Sequence, residues 1–135
     1  MIQRIQTVYL ILAGLFNLVT FFTPIYSRAV ADPSAWIGKG LAISMTVAMF
    51  ISFISIFLYN NRMIQIRWVK IAVICQIISM GFAAGVLFSL GGFGRFMINE
   101  TISMLLPLFA LLALWQAGKD IKKDQELVES MNRIR

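Results

Sequence analysis

The sequence predicts an all-α, polytopic membrane protein, an up-down bundle of four transmembrane helices with a cytoplasmic C-terminal helical tail. Three observations predict it. Of the 135 residues 59% are hydrophobic and 13% charged, against about 45–50% and about 25% in ordinary soluble domains. Residues 5–27, 40–61, 71–94 and 101–118 contain no Asp, Glu, Lys or Arg. A helix rises about 1.5 Å per residue and needs about 20 residues to cross a hydrocarbon core of about 30 Å. All four stretches meet that length, the last marginally. Finally, these segments lack the polar face that a helix of a soluble bundle presents to water.

The elements follow in order. The first span is expected over residues 5–27. A signal peptide is the competing reading, because Ala29-Val30-Ala31 mimics a cleavage site. The apolar run is longer than the usual 7–15 residues, and Arg28 stands just before the would-be site, so a span is preferred. Asp32-Pro33-Ser34 is a turn signature, and the second span is expected over 40–60. Asn60-Asn61 opens a short inner loop that forces an antiparallel pair with a third span over 66–91. Gly91-Gly92-Phe93-Gly94 resists helix continuation, since glycine costs about 1 kcal/mol relative to alanine. The fourth span is expected over 102–117, with a kink at Pro107, which lacks a backbone donor. The bundle thus occupies residues 1–118, and the tail residues 119–135. Short connections favour up-down topology.

Basic residues in short loops set orientation. With the N-terminus in the cytoplasm, that side holds Arg4, Arg62, Arg67, Lys70, Lys119, Lys122, Lys123, Arg133 and Arg135, nine of the twelve basic residues. Arg28, Lys39 and Arg95 fall on the other side. The net charge of +6 is therefore explained mainly by topology; no nucleic-acid module is present. Trp36, Trp68, Trp115, Tyr26 and Tyr59 lie near span ends, where amphipathic rings favour the headgroup level. Both termini are expected on the cytoplasmic side of a bacterial inner membrane.

Polar residues within the spans are few. Asn17 and Gln76 are expected to bond across helices, worth about 0.6–2 kcal/mol, with contact to a substrate or lipid headgroup as the alternative. Gly81 and Gly85 form a G-x-x-x-G pattern, whose mechanism is close backbone approach; the reading favours a partner helix within the chain over a second subunit. Ser52 and Ser55 suit close helix approach. Glu100 reads as a lone carboxylate near the start of the fourth helix, favourable to its dipole.

The absences carry equal weight. The four charge-free stretches hold no ionisable Asp, Glu, Lys, Arg or His, and Arg67 and Lys70 stand only at the cytoplasmic start of the third span, whereas an ion-coupled transporter normally keeps an ionisable group at membrane depth. Cys75 is the only cysteine and histidine is absent, which removes thiol-pair redox chemistry, the usual haem ligation and clustered zinc ligands. Serine has no His partner and no Lys at membrane depth. Neither a catalytic residue nor a metal or cofactor is expected.

The tail stands apart. From Lys119 to Arg135 it has no Gly or Pro, and Ile121, Leu127, Val128, Met131 and Ile134 recur at helical spacing. Glu129 and Arg133 are placed as an i,i+4 pair. The stripe either lies on the membrane or on the chain's own inner loop, or it docks a partner. The expected contact set is Leu127, Val128, Met131, Arg133, Ile134 and Arg135.

The opening Met1-Ile2-Gln3-Arg4-Ile5-Gln6-Thr7, the run Gln65-Ile66-Arg67, and the closing Ile121-Lys122-Lys123-Asp124-Gln125-Glu126-Leu127-Val128-Glu129-Ser130 with Asn132-Arg133-Ile134-Arg135 resemble an uncharacterised family of four-span inner-membrane proteins of the Bacteroidetes lineage. Asn132 stands where that family favours Asp. The resemblance implies fold and location, and no activity. The functional expectation is a non-enzymatic membrane subunit or scaffold. Its partners would be membrane lipids and other membrane proteins of a larger complex, with a homo-oligomer left open. The alternative is a small transporter or lipid-binding protein for neutral or amphiphilic molecules, with a cleft near Asn17, Gln76 and Pro107.

Overall fold

The computed structural model describes residues 2–31, 35–89 and 98–134. The expected Asp32-Pro33-Ser34 turn, the Gly91-Gly92-Phe93-Gly94 loop, Arg95 and Arg135 lie outside the described residues. Every element among those described is helical: α1 (Ile2–Thr20), α2 (Pro24–Ala31), α3 (Ala35–Phe57), a 3₁₀ turn (Leu58–Asn60), α4 (Arg62–Ser89), α5 (Ile98–Ser103) and α6 (Leu105–Arg133). Among the described residues three helical stretches, Trp36–Asn60, Arg62–Ser89 and Ile98–Arg133, are long and apolar enough to cross a membrane. A fourth is counted if the bent pair Ile5–Thr20 and Pro24–Ala31 forms one span.

That bent pair corrects the continuous helix expected over 5–27. The axes of its two halves differ by 52°, and the cause is local. Pro24 cannot donate to the Thr20 carbonyl. That carbonyl is instead taken by Thr23, through its hydroxyl at 2.6 Å and its amide at 3.1 Å. Phe21 and Phe22 close tighter turns onto Leu18 and Val19, so the last turn of α1 narrows and the chain swings. Thr23 then accepts the amides of Tyr26 and Ser27, opening α2 with proline at its first position, where no donor is needed.

Pro107 acts in the same way rather than as the mid-helix kink the sequence suggests. It is the third residue of α6, and the break falls at Met104, between α5 and α6. The Met104 amide is shared between the Glu100 and Thr101 carbonyls at 3.1 and 3.2 Å. The proline therefore occupies a first helical turn, where its missing donor costs little.

Contacts join α1 to α3 and α6, and α4 to the same two helices; α2 packs on α3, α4 and α5. The interior holds two apolar clusters. One, containing Leu10, Ile51, Val69, Leu114 and Ile121, includes Ala13, Ala72, Ala113 and Ala117, small residues that let helices approach closely. The other gathers Ile25, Ala29, Leu41, Met45, Ala83, Val86 and Leu87. The close approaches fall at glycines outside the G-x-x-x-G pattern. A Cβ added at Gly14 would strike the Phe53 ring, one at Gly40 the Phe82 ring, and one at Gly38 the Ala29 carbonyl oxygen.

Candidate functional site

Between the two apolar clusters, along α4 and from α1 into α2, lies a polar layer. Asn17 Nδ2 donates to Gln76 Oε1 at 2.9 Å, and Gln76 Nε2 donates to the Pro107 carbonyl at 3.1 Å. Both side chains are fully buried, and Pro107 is buried too. The chain of bonds ties α1 to α4 and α4 to the start of α6. Two atoms of this region, Asn17 Oδ1 and Ser79 Oγ, are buried without a hydrogen-bond partner among the described residues. The hydroxyls of α3 close on their own helix: Ser52 donates to Ala48 O and Ser55 to Ile51 O, both at 2.7 Å. Asn17 and Gln76 thus meet each other, and their donors engage the protein itself.

The end of the molecule that carries the α3–α4 turn is held by a second set of bonds. The 3₁₀ turn at Leu58–Asn60 interrupts the helical ladder, and Gln65 Nε2 takes the Ser55 carbonyl at 2.9 Å. Arg62, the first residue of α4, reaches α6 twice. Its Nη2 lies 3.1 Å from Asp124 Oδ2, and its Nη1 donates to the Asp124 carbonyl at 3.3 Å. Gln125 Nε2 lies against Met63 Sδ, and Ile121 is fully buried. These contacts clamp the last part of α6 to the start of α4.

Beyond the clamp the expected contact set is exposed. Leu127 is 46%, Val128 37%, Met131 63% and Ile134 88% exposed; Arg133 is exposed as well, and Arg135 lies outside the described residues. Glu129, expected to pair with Arg133, accepts instead from Gln125 Nε2 at 2.9 Å. α6 runs without interruption from Leu105 to Arg133, so the tail continues the direction of the apolar helix before it.

Gly81 and Gly85 do not serve an internal approach among the described residues. A Cβ at either would meet nothing within 4 Å, because the motif faces outward while Ala83 and Val86 point to the core. Glu100 is not a lone carboxylate. It is buried and accepts from Arg28 Nε at 3.2 Å, joining α2 to α5. Each residue sits in a different predicted loop, and only their common side of the bundle hinted at the pairing.

The class defined by this fold is an all-α chain with three to four helices long and apolar enough to cross a membrane. The chain belongs to the family described as Domain of unknown function (DUF4293), whose model matches residues 2–134. This bears out the resemblance to an uncharacterised family and brings no activity with it. No curated protein and no solved structure matches the chain.

Proposed function

We propose that this protein is a non-enzymatic subunit or scaffold of the bacterial inner membrane, an up-down bundle of four spans with both termini in the cytoplasm. Its tail docks a partner membrane protein. One observation carries the docking reading: Leu127, Val128, Met131 and Ile134 are exposed on a helix that is clamped in place. α6 has 29 residues, about 43 Å at ~1.5 Å per residue, so roughly 13 Å exceeds a hydrocarbon core of ~30 Å. A tail lying flat on the membrane needs a break near Gly118, and α6 is continuous there. The distribution of Lys and Arg supports the orientation. The Asn17–Gln76–Pro107 region favours packing over the carrier alternative, because the amide donors of Asn17 and Gln76 engage the protein itself.

The test is native-gel migration of the complex from mild-detergent extracts, comparing the full chain with Leu127→Asp/Met131→Asp. A stoichiometric partner present with the parent chain and lost from the double variant is the expected result. A partner retained by the double variant overturns the contact set, and a chain that migrates alone in both forms overturns the subunit reading. In a Cys75→Ser background, Ile134→Cys should react with a membrane-impermeant maleimide only when the cytoplasmic face is accessible; labelling from the other face overturns the orientation.

A further inference from the structure

A groove of about 800 Å³ runs between α4 and α6, from the apolar part of both helices to the clamped tail. Its apolar lining is built by Ile66, Val69, Val73, Ile74 and Leu114. Lys70 from α4 and Lys119 from α6 stand at its rim, and both are exposed. Lys119 Nζ lies 5.1 Å from the centre of the Trp115 ring, which also lines the groove. The acidic residues of the groove sit toward the tail and are engaged: Glu126 lies 3.8 Å from Lys122, and Glu129 accepts from Gln125. That leaves the rim nearest the apolar wall with two cations and no carboxylate of its own.

An apolar trough lined by Lys70, Lys119 and a tryptophan suits an amphiphile with an anionic head. We infer that the α4–α6 groove seats an anionic phospholipid of the cytoplasmic leaflet, one acyl chain along Val69, Val73 and Leu114 and the phosphate between Lys70 and Lys119. The warrant is complementarity of charge: basic pockets between spans on the cytoplasmic side collect anionic headgroups, and each Lys near the surface contributes about fivefold in affinity. The inference rests on the membrane orientation proposed above and is independent of the docking tail.

The experiment uses the full chain with Trp36→Phe and Trp68→Phe, so that Trp115 is the sole fluorophore, reconstituted in phosphatidylcholine vesicles. Brominated phosphatidylglycerol or brominated phosphatidylcholine is added at matched mole fractions. Trp115 should be quenched by the anionic lipid with an apparent affinity about thirty-fold higher, for two lysines. Lys70→Gln/Lys119→Gln should bring that ratio close to one; both side chains are exposed, so the fold is retained. The charge-matched control Arg67→Gln/Lys123→Gln, outside the groove, should leave the ratio nearly unchanged. Equal quenching by the two lipids overturns the inference, as does an equal loss of preference in the control, which would mean general surface attraction. Quenching by neither lipid also overturns it, as expected if another part of a complex fills the groove. Maleimide labelling of Ile134→Cys in the same vesicles reports insertion separately, so a failure of the membrane reading is distinguishable.

Discussion

Replacing Gln76 by leucine removes two hydrogen bonds from the middle of the protein while keeping a side chain of similar bulk. The bond from Asn17 at 2.9 Å and the bond to the Pro107 carbonyl at 3.1 Å are both lost. Hydrogen bonds between helices in a bilayer average about 0.6 kcal/mol and reach about 1.7, because the unfolded state in the membrane also finds partners. Two such bonds set the expected loss at about 1–3 kcal/mol. Asn17→Leu should cost less, since it removes only one bond and also eliminates the unpartnered Asn17 Oδ1. Reversible unfolding in mixed micelles, followed by far-UV circular dichroism, provides the four free energies of the Asn17→Leu, Gln76→Leu cycle. The coupling should be about 0.6–1.7 kcal/mol. Coupling within about 0.3 kcal/mol of zero would refute the direct bond, and an Asn17→Leu loss larger than that of Gln76→Leu would refute the bond to the Pro107 carbonyl.

Three further outcomes are expected from the same unfolding assay or from hydrogen exchange. Arg28→Met should destabilise more than Glu100→Gln, because it strands a buried carboxylate, at about 1–3 kcal/mol, whereas the neutral amide leaves a half-exposed Arg28 that returns to solvent; the reverse order would count against the burial of Glu100. Gly38→Ala should cost about 1–3 kcal/mol, since the new methyl meets the Ala29 backbone carbonyl, while Gly81→Ala, which meets nothing, should be neutral or mildly stabilising; similar losses at both sites would refute the packing described. Arg62→Gln should speed amide exchange over residues 122–133 without altering that of α4 and α1, by releasing the clamp on Asp124; unchanged exchange in the tail would mean that Ile121 and α6 hold it alone.

Charge-free length was the legible part of the fold. Uninterrupted apolar stretches mark α3, α4 and α6 because a helix in lipid satisfies its own backbone and needs little but apolar side chains. The break at residues 21–23 was hidden by the same fact: composition does not change across it, and only the pairing of Thr23 with Pro24 marks it. The Asn17–Gln76 bond was partly legible, since amides in a bilayer face inward; which carbonyl completes the chain was not, because it depends on how α6 restarts after Met104. The glycine motif misled for a geometric reason. Spacing of four places Gly81 and Gly85 on one face of α4 without saying which face, and here it points away from the core. Gly38, which does admit a neighbouring backbone, belongs to a G-x-G with Gly40 that satisfies no standard packing pattern.

The same geometry bears on where function can reside. Two apolar clusters flank the polar layer, and the amide donors of Asn17 and Gln76 are paired with the protein. Ion pairs and clamps at opposite ends, Arg28 with Glu100 and Arg62 with Asp124, oppose relative sliding of the helices. On the proposed reading, helices tied in this way suit a platform better than an alternating carrier, which needs one half to rock against the other. On that reading the surface offered to a partner lies on the outside, and α6 carries most of it. One continuous helix runs from the Pro107 turn through the lysine-rimmed groove to Leu127, Val128 and Met131. Since Arg62 sets the angle of the tail and Lys119 belongs to the groove wall on the same rod, a lipid seated against α4 and α6 would further hold the tail in its projecting position. Under the proposed reading, loss of anionic lipid and loss of the Arg62 clamp should weaken partner docking in the same direction, whereas substitutions at Asn17 or Gln76 should lower stability and leave docking by the folded fraction unchanged.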